Sequence, residues 1–450
     1  MNGILAFLSL TLCVAIIFLS PDKGAAAVLV CAVLAFCAGF VISRIKIEKS
    51  FLLKLFLSAL LVRVFVGTLI YYFQLQLFFG GDALTYDDMG NALLQVWQGN
   101  SNYLQSTLEE WSVGGGWGML YGVAFIYKIV GRNMLAVQFV NAVIGAAIVP
   151  AIFLCAHHIF KNLSVARTAA YFVAFFPSLV LWSSQGLKDG PIVFFLVITI
   201  YATLKLGEQL SAKYVIFMVA ALLGLLSLRF YIFYMAVVAI AGSLLIGMRQ
   251  ASARSLVQQL MMVIGIGLFL TYLGVLRTAG GQIERYGSLE ALQISRADLA
   301  TSANTGFGKD VDVSTTSGAI SAIPMGATYL MFAPFPWQLA NLRQSITLPE
   351  MIIWWVSFPL LVLGLWFTIK HRLRQSLPIL IFTTMLTLAY SVFQGNVGTA
   401  YRQRAQLLVF YFIFVAIGYV LMKEKREERR MQEQALAAKQ MAMMGRRRRA

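Results

Sequence analysis

Acidic residues are scarce in this chain: 19 in 450, against 36 lysines and arginines. Charged residues of all kinds make up 12% of the sequence, about half the ~25% typical of a soluble domain. Cysteine is equally sparse. Cys13, Cys31, Cys37 and Cys155 all lie inside apolar runs without metal-ligand spacing, so they read as small buried hydrophobes and exclude a disulfide framework or zinc site. The three histidines, His157, His158 and His371, sit beside basic residues at helix ends and outline no metal site. There is no P-loop, no dinucleotide-binding fingerprint and no stretch resembling a soluble domain. Alternating strands of the barrel type are missing too.

What the chain has instead is oil. Hydrophobic residues make up 59% of it, in repeated runs of about 18 or more, the length needed to cross a hydrocarbon core of roughly 30 Å. Lipid offers backbone groups no hydrogen bonds, so such runs must be helical. The fold class expected is an all-α polytopic membrane protein with about twelve transmembrane helices. Spans are expected near 3–20, 25–43, 55–79, 135–156, 166–184, 190–206, 213–228, 230–247, 256–276, 349–369, 377–393 and 405–422. The first run has no basic stretch before it and is followed at once by a second span, which predicts an uncleaved helix.

Twelve spans put both termini on one side, and the strongly basic tail predicts that this side is cytoplasmic. The connectors then sort. Those assigned inside, with Lys54 and the tail, hold 23 Lys/Arg and six acids; those assigned outside hold 12 Lys/Arg and 13 acids. The apolar stretch 118–131 is too short to cross, and crossing would reverse every later segment. It is expected to lie along the outer interface, with its tyrosines at headgroup depth.

The outer side thereby collects the chemistry. "GDALTYDDMGNALLQVWQG" opens with Asp82, Tyr86, Asp87 and Asp88. On a helix, Asp82 and Tyr86 share a face while Asp87 and Asp88 turn away. Asp82 could simply cap that helix, and Asp87 and Asp88 could simply favour its macrodipole. Lys188, Asp189, Arg229, Tyr231, Arg402 and Arg404 stand at the outer ends of later spans. The cations there could be interfacial anchors, although Arg402 and Arg404 run against the charge bias of that side. Arg63, inside the third span, either pairs with polar groups inside the bundle or belongs to a structural bridge, and the sequence assigns it no role. Residues 277–336 are expected to be a long external connection that mixes a charged helical pattern with a Gly/Ser/Thr-rich part that could act as a lid. Within it, 319–337 is expected to be interfacial or re-entrant.

The 82–99 stretch resembles the first external loop of polyprenyl-phosphate-dependent glycosyltransferases of the GT-C fold, the class of dolichyl-phosphate-mannose protein mannosyltransferases and aminoarabinose transferases. Asp82 and Tyr86 keep that family's spacing and Gly99 follows the helix, while Ala83 stands where the family often has Glu. The likeness continues to about residue 205. It implies a GT-C-like domain over 51–422, two additional spans in 1–50 and a basic cytoplasmic tail over 423–450. Residues 80–134 would be the first catalytic loop and 277–348 the long external one. The location implied is a bacterial-type plasma membrane with an extracytoplasmic active face.

The activity implied is transfer, with inversion, of a sugar from a polyprenyl-phosphate donor to a glycan, lipid or protein acceptor, without nucleic acid. Such transfer passes through an oxocarbenium-like state. It needs a base for the acceptor hydroxyl, for which Asp82 is the first choice and Asp87 or Asp88 the second. It also needs cations for the departing phosphate: Lys188, Arg229, Arg402 and Arg404, with Tyr86, Asp189 and Tyr231 nearby. Asp82 with Asp88 could hold Mg²⁺ or Mn²⁺. Two other functions fit parts of the pattern. One is a polysaccharide polymerase or ligase; the other is a flippase or transporter for lipid-linked sugars, which would call for two related halves that the sequence does not display.

Overall fold

The computed structural model describes residues 3–100, 116–247, 253–272, 274–301 and 304–447. Part of the first external loop (101–115) and part of the basic connector at 249–254 therefore lie outside the described residues. Among those described, the chain is helical throughout, with no β-strand and one isolated bridge between Gly306 and Asn396.

Each of the twelve segments expected to cross the membrane overlaps a helix among the described residues. In chain order the first three are α1 (Gly3–Leu19), α2 (Pro21–Ser43) and α3 (Lys49–Tyr72). After α4 (Asp82–Trp97) and α5 (Trp117–Val130) come α6 (Met134–Phe160), α7 (Leu163–Phe175) and α8 (Pro177–Ser183). Then follow α9 (Asp189–Leu206), α10 (Ala212–Leu228), α11 (Phe230–Gly247), α12 (Ala253–Tyr272), α13 (Val275–Tyr286) and α14 (Leu289–Thr301). The last five are α15 (Thr316–Phe332), α16 (Leu342–His371), α17 (Leu373–Phe393), α18 (Val397–Gln403) and α19 (Ala405–Arg447). Seven of these are long and apolar enough to cross a bilayer, and an eighth if α7 and α8 make one bent span. α1, α5, α10 and α11 are shorter apolar helices. At 14 residues, α5 is only about 21 Å long, too short for a ~30 Å core.

The core forms around α6 and α19. In their most apolar windows 78% and 83% of residues are buried, whereas α2 buries 17%. A helix that is hydrophobic all round belongs inside, and α6 packs against α2, α3, α7 and α9 while α19 lies along α16. α9 pairs with α10, α11 with α17, and α15 with α17.

One expected span is broken. Between α7 and α8 the axis bends by 55°. Pro177 opens α8 and has no N–H for the carbonyl four residues back, Val173. Arg63 of α3 reaches across to repair this. Its Nη2 donates to the Val173 carbonyl (3.2 Å), its Nη1 to that of Ala174 (2.9 Å) and its Nε to Ser183 Oγ (2.9 Å). This guanidinium is 1% exposed, so the bent span depends on a charge that lipid alone would reject. The role that the sequence left open for Arg63 is therefore structural, carried by backbone carbonyls and Ser183.

One expectation needs correction. The third span ends at Tyr72 rather than near 79, and residues 73–81 turn through Gln74, Gly80 and Gly81 at positive φ. These turns swing the chain off α3 and start α4 at Asp82. The charged helical pattern expected within 277–336 falls on α13 and α14, and the apolar stretch near 319–337 falls largely on α15. The Gly/Ser/Thr-rich part is tied down: Phe307 N donates to the Gly395 carbonyl (2.7 Å) and Val397 N to that of Thr305 (3.0 Å). Arg296 of α14 donates to the carbonyls of Val392 (2.9 Å) and Gln394 (2.5 Å), closing the end of α17. A segment anchored this way forms a wall beside residues 394–398.

Candidate functional site

α4 begins at Asp82 itself, with Gly81 as N-cap and no capping by a side chain. The carboxylate is therefore free of the cap role and reaches Arg402, 320 residues later, at 2.5 Å. Arg402, on α18, is a bridge. Its Nε and Nη2 hold Asp189 Oδ2 at 2.7 and 2.6 Å. Asp189 opens α9 and is 2% exposed, whereas the Asp82 side chain is 49% exposed. Arg229, where α10 ends and α11 begins, lies 3.8 Å from Asp189 Oδ1 and over the Tyr231 ring at 5.7 Å. Asp189 Oδ1 and Arg229 Nη1 are buried atoms with no hydrogen-bond partner.

Lys188 and Tyr86 complete the cluster. Burial, with Arg229 adding to it, pulls the Lys188 ammonium down to about 8. Burial, with Asp189 next, pushes the Tyr86 phenol above its ordinary range. Arg402 is the opposite case. Burial works against its charge, but Asp189 and Asp82 outweigh that and hold the guanidinium above its usual value. Tyr231 joins at the rim, its hydroxyl 3.3 Å from that of Tyr390, which donates to Gln406 at 2.8 Å.

A cavity of about 270 Å³ opens beside this cluster. Asp82, Trp182 and Arg402 form one wall, and Arg402 lies 5.6 Å over the Trp182 ring. Thr305, Asn396, Gly398 and Thr399 form another; Arg343, Gln344 and Thr347 of α16 form a third. Sequence reading missed this polar lining. Arg343 stacks on Phe78 at 5.5 Å and brings a further cation to the mouth. "QGNVGT" just before Arg402 was the available signal, since Asn396 both caps α18 and takes the Thr305 hydroxyl at 2.7 Å.

Three of the candidates stand elsewhere. Asp87 receives the Tyr127 hydroxyl and Arg132, whose Nε is 3.1 Å from Oδ2. Asp88 takes Arg132 Nη2 at 2.5 Å. Both acids thus tie α4 to α5 and the turn after it, on a face turned away from Asp82. Arg404 is 1% exposed and spends its donors on the carbonyls of Met331 (2.9 Å) and Ala333 (3.2 Å). It holds the end of α15 and does not line the cavity.

The metal expectation fares no better. Asp82 and Asp88 are six residues apart, about 9 Å along the helix and some 240° around it. Each is engaged by a different arginine. Among the described residues no three His, Cys, Asp or Glu side chains gather closely enough to hold a metal ion. The pair Asp82 and Asp88 does not fit a divalent ion; between Asp82 and Asp189 the bridging cation is Arg402.

Residues 117–274 match the family model described as dolichyl-phosphate-mannose-protein mannosyltransferase. The resemblance read from the sequence is therefore borne out over that stretch, which takes in Lys188, Asp189, Arg229 and Tyr231. The Asp82 motif lies before it and Arg402 after it. Among solved structures, the chain resembles the oligosaccharyltransferase of Archaeoglobus fulgidus in its apo form. Identity is 14%, covering 72% of this chain and 44% of that one, with a TM-score of 0.40. The archaeal oligosaccharyltransferase from the same organism, in complex with an inhibitory peptide and a dolichol-phosphate, gives 15%, 71%, 44% and 0.41. The chain thus spans less than half the length of these structures. No curated protein matches it.

Proposed function

We propose that this membrane protein is a GT-C-type glycosyltransferase. It moves a sugar from a polyprenyl-phosphate donor to an acceptor hydroxyl at the Asp82 end of the bundle, on the extracytoplasmic face. The observation that carries this reading is one of convergence. Asp82, Lys188, Asp189, Arg229 and Arg402 come from widely separated segments and meet beside one cavity at the end of the spans. The family match over residues 117–274 supports the donor class.

In this reading Asp82 takes the proton of the acceptor hydroxyl. The acceptor oxygen bonds to the anomeric carbon as the bond from that carbon to the phosphate oxygen breaks, and the electron pair leaves with the lipid phosphate. A positioned base is typically worth about 10²–10⁴-fold. Arg402, Arg229 and Lys188 neutralise the charge growing on the leaving phosphate. Asp189, buried beneath them, holds the guanidinium of Arg402 in place. The Asp82–Arg402 contact has a consequence for order. A phosphate drawn to Arg402 competes with Asp82 for it, so arrival of the donor releases the carboxylate that the acceptor needs.

The test is reconstitution with polyprenyl-phosphate sugars, comparing the native chain with Asp82→Asn. The variant should bind donor yet lose turnover by about 10²–10⁴-fold. Full activity in Asp82→Asn would remove the base. If Arg402 alone proved essential, the polymerase or ligase reading would take its place.

A further inference from the structure

The opposite end of the bundle holds a second polar cavity, of about 350 Å³. It lies at the far end of α9 from Asp189, about 27 Å along an 18-residue helix. Its walls come from three basic connectors that charge bias alone would assign to membrane topology: the turn after α6, the turn after α9 and the turn between α16 and α17. Lys161, Arg372 and Arg374 line it, with Glu208 as the acid.

Three features point to an anion. Three cations face one carboxylate. Glu208 is already occupied by Lys161 at 3.4 Å and Lys205 at 3.1 Å. The first turn of α17, a 21-residue helix, opens onto the cavity at Arg372, Arg374 and Gln375. Its N-cap makes no side-chain hydrogen bond, so the backbone N–H groups of that turn lack intrahelical acceptors. His158 lines the cavity at 6% exposure, its Nδ1 without a hydrogen-bond partner and its Nε2 3.6 Å from Glu208. His158 thus adds a buried polar wall, while the cations and the helix N-terminus carry the preference for an anion.

We propose that this cavity binds a phosphate group, carried by the headgroup of an anionic membrane lipid or by free phosphate. Apolar walls from Leu204, Leu244 and Pro378 sit beside the cations, at the depth where the spans end. The basic connectors thus do more than orient the chain: they form a site that clamps the ends of α6, α9 and α17 together when filled.

The experiment uses the full chain in phosphatidylcholine nanodiscs, titrated with phosphatidylglycerol in one arm and inorganic phosphate in the other. The readout is the shift in thermal unfolding. Saturable stabilisation by phosphatidylglycerol alone identifies the lipid headgroup, and by both arms the free anion. The double variant Arg372→Gln/Arg374→Gln should weaken apparent binding by about tenfold or more. Arg426→Gln, an exposed cation on the tail helix, should leave it unchanged. Glu208→Gln supplies a test of opposite sign that does not depend on the double variant folding. Removing the acid should tighten binding severalfold, whereas a merely structural salt-bridge role predicts only lost stability. Unchanged affinity in the double variant, or no tightening in Glu208→Gln, overturns the proposal.

Discussion

Asp82 and Asp87 lie five residues apart on one helix, and each binds an arginine. Asp82 is half-exposed at a cavity mouth and shares Arg402 with a second acid. Asp87 is nearly buried and holds Arg132 together with the Tyr127 hydroxyl. The first pair opens onto a cavity where a ligand can compete for the guanidinium; in the second the half-exposed partner is Arg132, while the acid is 11% exposed and is also held by Tyr127. The same division separates Arg402 from Arg404. Two residues along a helix turn a side chain by about 200°, enough to send one guanidinium to the cavity and the other into backbone carbonyls. A charge near an active surface is thus chemical or structural according to what else could take its partner.

Breaking the Arg402 bridge should have the largest effect. Arg402→Met leaves Asp189 buried without its main partner, which costs about 3–5 kcal/mol. Both thermal stability and transfer should collapse. Asp82→Asn should keep the unfolding temperature within a few degrees while turnover falls by about 10²–10⁴-fold, measured on the same preparation. Asp87→Asn should reverse that pattern: about 2 kcal/mol of stability lost from a charged hydrogen-bond pair, with turnover per folded molecule nearly unchanged. Were Asp87→Asn to abolish turnover in a fully folded chain, the division between the two acids would fail.

Lys188 sharpens the comparison through pH. Its ammonium loses its proton near pH 8 in the folded chain against 10.5 ordinarily. Donor affinity should therefore fall as pH rises through about 8, by less than about tenfold, and Lys188→Arg should flatten the profile. The sign for stability is opposite. Between about 8 and 10.5 the unfolded chain binds more protons, so stability rises with pH there. The smallest effect belongs to Asp88→Asn. That side chain is 71% exposed, and its loss should change stability by under ~1 kcal/mol in a thermal melt.

Much of this was legible before any fold was known. Asp82, Lys188, Asp189, Arg229 and Arg402 were candidates because charges are rare here and these gather at one end of the spans, whereas Tyr86 came from the family spacing and Tyr231 from its place beside Arg229. Arg404 shared every local attribute of Arg402, so no pattern in "YRQRAQ" could separate them. Arg132 drew no notice because it follows a helix of ordinary appearance. Arg343 and Asn396 were hidden for another reason: a polar residue becomes a cavity wall only when a distant segment supplies the opposite side. The break at Pro177 could be suspected from the proline, but its repair by Arg63 could not.

The apolar runs by themselves determined that the chain is a helical membrane bundle, because lipid satisfies no backbone group and only helices satisfy their own. Their spacing and the uneven scatter of charge also supplied an expectation of which connectors share an end. The tertiary structure alone decided which charges meet. Asp82 finds Arg402 across 320 residues, and such a contact depends on how packed helices place their ends, which no local periodicity encodes.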